Sequence, residues 1–151
     1  MTYYEKPRSC ADSCGSAAKD DSLRATISLD SGRMNHAVLS ILITKATLIA
    51  AYELLQTTAP FLGWKLPDAG TIDFAVLRDR STYGDCDGET LRVSSGRHGH
   101  LTTLLATVAH EMIHLHQMRR KLETPNTEHN ADFRRRAARV CQLHGFDPKV
   151  F

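Results

Sequence analysis

The chain predicts an α+β domain: a long N-terminal helix, a small antiparallel sheet, a helix carrying His110-Glu111-Met112-Ile113-His114, and a last helix. Three observations predict it. Apolar residues recur at helical spacing before residue 57 and again after residue 100. Between them, Thr71–Asp79 and Thr90–Ser94 alternate apolar and polar side chains, as half-buried strands do. Pro60, Gly63, Gly145 and Pro148 punctuate the ends of the helical stretches.

With 151 residues the chain suits one domain, able to bury roughly 68–70% of its unfolded surface. A flexible leader is expected over residues 1–22, rich in Ser, Asp, Lys and Gly, with the domain proper over 23–151. The N-terminus has no apolar core of a secretory signal. The most apolar run, Val38 to Tyr52, is too short to span a membrane and has Lys45 at its centre. Four cysteines without an export signal point to a reducing, cytoplasmic compartment. Cys10 and Cys14 have no second pair to complete a tetrahedral metal set and read as free thiols in the leader. The net charge of +2 is unevenly placed: residues 115–151 carry eight basic and four acidic side chains, whereas 36–114 carry six and eight.

The first helix is expected from about Asn35 to Gln56, with Val38, Ile41, Leu42, Ile49 and Tyr52 on its packed side. Trp64 to Gly70 reads as a loop. In the first strand Ile72, Phe74 and Val76 share a face. The connection Arg80–Glu89 holds Gly84 and Gly88, both suited to turns, and Asp85 and Asp87 lack the full spacing of a calcium loop. The second long helix should start near Gly99 or His100 and end around Lys121, with Leu101, Leu105, Val108, Met112 and Leu115 buried. Arg119, Arg120 and Lys121 suit its negative C-terminal end. The last helix is expected from Ala131 to His144, ended by Gly145, with Cys141 packed as a small hydrophobe.

The pattern HExxH carries the chemistry. Histidines four apart on a helix lie about 5–6 Å apart at Cβ, close enough for both imidazoles to hold one zinc ion at about 2.0–2.1 Å. Glu111, beside the first of them, then stands next to the ion's open position, where it can accept a proton from water. A catalytic zinc needs a third protein ligand. The extended pattern HExxHxxGxxH fails, because Gln117 and Arg120 occupy its glycine and histidine places. His116 falls off the metal face. His129, Glu128 and Asp132 are the downstream candidates, His129 first among them because neutral imidazole suits zinc and Phe133 can anchor its face in the core.

His110-Glu-Met-Ile-His114 followed by His129-Asn-Ala-Asp-Phe133 resembles the SprT-like (Spartan-type) zinc metallopeptidases, whose pattern is HExxH and then a histidine in H-x-x-x-F. The resemblance covers roughly residues 36–146. It implies a compact zincin-like core, one catalytic Zn2+ held by His110, His114 and His129, and Glu111 as general base. Many members continue into a four-cysteine zinc ribbon, which this chain lacks, so the resemblance implies the peptidase core of short bacterial or phage-type members.

The expected activity is hydrolysis of peptide bonds in a protein or peptide substrate, DNA-associated proteins included. The substrate is expected to add as a strand beside Thr90–Ser94. Tyr83, His98 and His100 are candidates to stabilise the developing oxyanion. Arg119, Arg120, Arg134, Arg135, Arg136 and Arg139 form a candidate DNA-binding patch, although basic runs are more often solvated helix faces. The competing expectation is a non-catalytic zinc-stabilised binding module; against it stands the open fourth metal position, since structural zinc sites are normally closed. A cysteine nucleophile is weaker still, because nothing marks Cys86 or Cys141 as activated.

Overall fold

A computed structural model describes residues 42–78, 80–125, 127–149 and 151. The expected leader, Cys10, Cys14, Val38 and Ile41 lie outside the described residues. Among the described residues are three helices, α1 (Lys45–Gln56), α2 (Leu101–Arg120) and α3 (Ala131–His144), and three strands, β1 (Asp73–Leu77), β2 (Gly84–Cys86) and β3 (Thr90–Ser94).

Helix α1 starts at Lys45, later than the apolar spacing predicts, because Thr44 caps it. The Thr44 hydroxyl accepts from the Thr47 amide at 3.1 Å, and the Thr44 amide donates to the Thr47 hydroxyl at 3.3 Å. This reciprocal cap satisfies two otherwise unpaired amides. Threonine in the place usually held by Glu or Gln hid it from the sequence. Leu42, expected on the packed side, is 79% exposed. The face α1 buries is Leu48, Ala51, Tyr52 and Leu55, the i, i+3, i+4, i+7 stripe of an amphipathic helix. The Tyr52 hydroxyl donates to the Pro67 carbonyl at 2.7 Å and pins α1 to the following loop.

The sheet is mixed, which corrects the antiparallel expectation. Its order is β1-β3-β2, with β3 parallel to β1 and antiparallel to β2. After β1 the chain crosses to the far edge, forms β2, and returns as the central strand through a turn at Asp87 and Gly88. Gly88 has φ of +90°, which a side chain would oppose. The Asp87 carboxylate accepts from the amides of Glu89 and Thr90 at 3.0 and 2.8 Å, closing that turn. Gly84, expected in a turn, lies instead in strand β2.

Helix α2 is the axis of the core. Eleven of its twenty residues are buried, so it is packed on most sides rather than along one stripe. Val108, Met112 and Leu115 are inside as expected, whereas Leu101 at the helix start is 52% exposed. Sheet residues Phe74, Leu91 and Val93 and α3 residues Phe133, Val140 and Cys141 complete the core. Each large apolar side chain so buried is worth about 1.5–3 kcal/mol. Helix α3 ends at Gly145, whose φ of +72° and amide bond to the Cys141 carbonyl make the left-handed cap predicted for it. Among the described residues no helix is long and apolar enough to cross a membrane.

Candidate metal centre

Helix α2 places His110 and His114 one turn apart, and the residue preceding the cap of α3 places His129 opposite them. The three Nε2 atoms form a nearly equilateral triangle: 3.1 Å between His110 and His129, and 3.2 Å on each of the other two edges. Hydrogen bonds alone cannot account for it. A neutral Nε2 either carries a proton or offers a lone pair, so at least one edge of any such triangle sets two donors or two lone pairs head to head. One cation would satisfy all three nitrogens. Two nitrogens bound to one zinc at about 2.0–2.1 Å and a tetrahedral angle lie about 3.3–3.4 Å apart, close to the observed edges. The residues therefore fit a single metal ion.

Phe133 forms the floor under this triangle. Its ring centroid lies 4.9, 4.5 and 4.3 Å from those of His110, His114 and His129. One buried ring thus orients all three imidazoles and keeps water from beneath them. Of the other two ligand candidates, Asp132 is taken: its carboxylate accepts from Gln117 and is paired with Arg135 and Arg136. Glu128 lines the same cavity but is not part of the convergent group. His116 is buried away from the site, with its ring 4.9 Å from that of Trp64.

Asn130 holds the third histidine in place, a role that escaped the sequence reading. It is 8% exposed and uses its full hydrogen-bonding capacity. Its Oδ1 accepts from the Phe133 amide at 2.9 Å and from Gln117 Nε2 at 3.0 Å. Its Nδ2 donates to the Leu122 carbonyl at 3.0 Å and to the Thr124 hydroxyl at 3.1 Å. One side chain thereby caps α3, ties it to α2 and fixes the loop between them. The local signal was available, since asparagine before a helix is a preferred cap. Its bond to Gln117 required the fold. Asn130→Ala should destabilise the protein by about 2–3 kcal/mol, the sum of a lost cap and stranded buried partners. Thermal unfolding checks this, and an unchanged melting temperature would remove Asn130 from that role.

Glu111 is 5% exposed and lies beside the triangle. Strand β2 approaches it closely, and only glycine permits that approach. A Cβ at Gly84 would lie 2.8 Å from the Arg92 carbonyl, 2.9 Å from Thr107 Cγ2 and 3.1 Å from Glu111 Oε1. A cavity of about 520 Å³ opens over the three histidines and Glu111, with β2 residues Gly84, Asp85 and Cys86 along one wall. Strand β3, expected to receive the substrate, is paired on both sides and has no free edge. Among the described residues, the edge beside the site belongs to β2, which pairs with β3 alone.

Burial sets the protonation of the site. It pushes Glu111 up to about 8, with Asp85 and Glu128 adding to the effect. It holds His110 down to about 3 and His114 down to about 4, helped by the neighbouring imidazoles. These shifts act on stability in opposite senses. The two histidines stay neutral in the fold but protonate near 6.5 when unfolded, so stability falls as pH drops from 6.5 toward 4 and 3. Glu111 stays protonated in the fold but ionises near 4.5 when unfolded, so stability falls as pH rises from 4.5 to about 8. Two histidines outweigh one glutamate below 6.5. The metal-free protein should therefore be most stable near pH 6.5 and lose stability on both sides. Melting temperatures of chelator-treated protein across that range check it; a steady rise through pH 8 would mean that Glu111 is ionised in the fold.

The oxyanion candidates separate. His98 is buried, and its two ring nitrogens are engaged by the Ser94 carbonyl at 2.6 Å and the Thr107 hydroxyl at 2.8 Å, so it is a structural residue. His100 precedes α2 and lines an outer cavity away from the triangle. Tyr83, half exposed, reaches the space beside His110 and Glu111.

The arginines of the expected patch also divide. Arg134 donates to the His129 carbonyl at 2.7 Å, bracing the third histidine's main chain. Arg136 pairs with Asp132 and lies over the Trp64 ring at 5.1 Å. Arg139 donates to Gln142. Arg119, Arg120, Arg135 and Arg139 are exposed. Comparison with known protein families, with curated proteins and with solved structures finds no match to this chain.

Proposed function

We propose that the protein is a zinc metallopeptidase of the SprT-like, zincin type, hydrolysing peptide bonds with Glu111 as general base. The observation that carries this reading is the triangle of three Nε2 atoms with a buried carboxylate beside it and an open cavity above. His110, His114 and His129 would hold the ion. When bound, zinc supplies Lewis acidity, which polarises a carbonyl and brings the pKa of a coordinated water down to about 7.

The chain's own groups do the rest. Glu111 lines the same cavity as the three histidines, and a cation held by them would favour its ionised, proton-accepting form. It takes the proton from the attacking water and returns it to the leaving amine. Strand β2, at the edge of the described sheet and lining the same cavity as Glu111, would hold an extended substrate by main-chain hydrogen bonds. Tyr83, which lines the space beside His110 and Glu111, would donate to the developing oxyanion. The three-histidine set supports catalysis over a purely structural metal, because no described cysteine or carboxylate joins it to close the fourth position. DNA contact enters this proposal only through the exposed arginines of α2 and α3.

The test is elemental analysis of the purified protein together with proteolysis of an unfolded polypeptide, before chelation, after it, and after zinc is restored. Loss and recovery of cleavage with the metal is expected. Cleavage that survives complete metal removal would overturn the reading.

A further inference from the structure

Beside Glu111 and His110 lies a second cavity of about 180 Å³, which Glu128 does not line. Tyr83, Gly84, Ala106, Thr107 and Phe151 line it together with His110 and Glu111. Phe151 comes from the segment after α3, far from the motif in sequence, and no part of the metal chemistry requires it. Its ring centroid lies 5.5 Å from that of His110 and 5.9 Å from that of Phe146. Its main chain is hydrogen-bonded to the His110 ring. The ring is therefore held at both ends, as part of the packed structure. Beyond it opens a larger cavity of about 730 Å³, which carries Arg97, His100, Asp147 and Lys149. Tyr83, Ala106, Thr107 and Phe151 line both spaces, so the two adjoin across these four residues.

We infer that Phe151 is a specificity-determining residue: its ring is the end wall of a pocket that accepts one compact apolar side chain of the substrate, next to the bond being cut. This rests on the peptidase reading above. The size argument is direct. An apolar cavity of about 150 Å³ accommodates benzene, so the observed space suits Leu, Met or Phe and stops short of Trp. The chemistry of the walls agrees. Apart from Glu111 and His110, the residues that line the pocket are Tyr83, Phe151, Ala106, Thr107 and Gly84, none of which carries a charge to receive Lys, Arg, Asp or Glu. The charged residues Arg97, Asp147 and Lys149 line the larger space and not this one.

Phe151→Ala removes the wall while leaving the main chain that contacts His110. It should join the two cavities and admit larger side chains. The experiment compares parent and Phe151→Ala on peptides differing at one position on either side of the cleavage point. Zinc content is measured alongside, as is binding of the same peptides to Glu111→Gln and to the Glu111→Gln, Phe151→Ala double variant by fluorescence polarisation. The parent should prefer Leu, Met or Phe at one of the two positions. Phe151→Ala should raise the Trp-to-Leu ratio there by at least about tenfold, within the range hydrophobic pockets give, and the binding ratios should move the same way at unchanged zinc content. If the parent cleaves but both proteins rank the peptides identically, the wall assignment is overturned while the peptidase reading stands. If the parent cleaves nothing with zinc bound, the peptidase reading itself has failed. Phe151→Leu guards against misfolding: it should fold and show a smaller shift in the same direction, and an unchanged ranking there and in Phe151→Ala counts against the proposal.

Discussion

Glu111→Gln should keep the parent's zinc content and lose proteolysis by about 10²–10⁴-fold, the range assigned to a positioned general base. The substitution is nearly isosteric, which matters at this position. Glu111 is 5% exposed, and strand β2 lies so close that even a methyl group on Gly84 would come within 3.1 Å of its carboxylate oxygen. A smaller residue would leave a cavity and confuse loss of base with loss of packing. Glutamine keeps the volume and removes only the ability to take a proton. None of the three convergent nitrogens belongs to residue 111, so metal affinity should be untouched. If the variant cleaves as fast as the parent, Glu111 is not the base. If zinc is lost as well, its carboxylate contributes to holding the ion.

His129→Ala should lower zinc affinity by more than the 10–100-fold that loss of an outer-shell partner costs, because in the proposed site it removes a direct ligand. The fold should survive. His129 is exposed and precedes the cap of α3, whereas the cap itself and its bonds to Gln117, Leu122 and Thr124 belong to Asn130. The melting temperature of the chelated variant should stay close to that of the chelated parent, while competition with a zinc chelator shows the loss. Full zinc occupancy in competition would move the third-ligand role to Glu128, which lines the same cavity.

Features written in local chemistry were legible. The limits of α2 and α3, the glycine that ends α3, the shared face of His110 and His114 and the turning-away of His116 all follow from helical periodicity and from caps near in sequence. The grouping of His129 with that pair was anticipated partly through Phe133, one turn further on, whose ring does contact all three imidazoles. The start of α1 was misplaced because its cap pairs two threonines, a combination without a strong signature. Strand β2 is only three residues long and includes a glycine, so no alternation could reveal it.

Strand order was beyond reach for a different reason. Alternation states which face of a strand is buried and says nothing about which strand lies next to it. The parallel pairing of β1 with β3 leaves β2 at the edge of the described sheet, against α2. The same holds for Asn130 and Phe151. Asparagine in front of a helix and phenylalanine after one are unremarkable letters, and they acquire meaning from neighbours 13 and 41 positions away in the chain, Gln117 and His110. Residue type and short-range spacing were enough to bring His110, His114 and His129 together as one candidate metal-binding group. The walls, the edge and the brace around it depend on contacts that exist only once distant segments have condensed on one core.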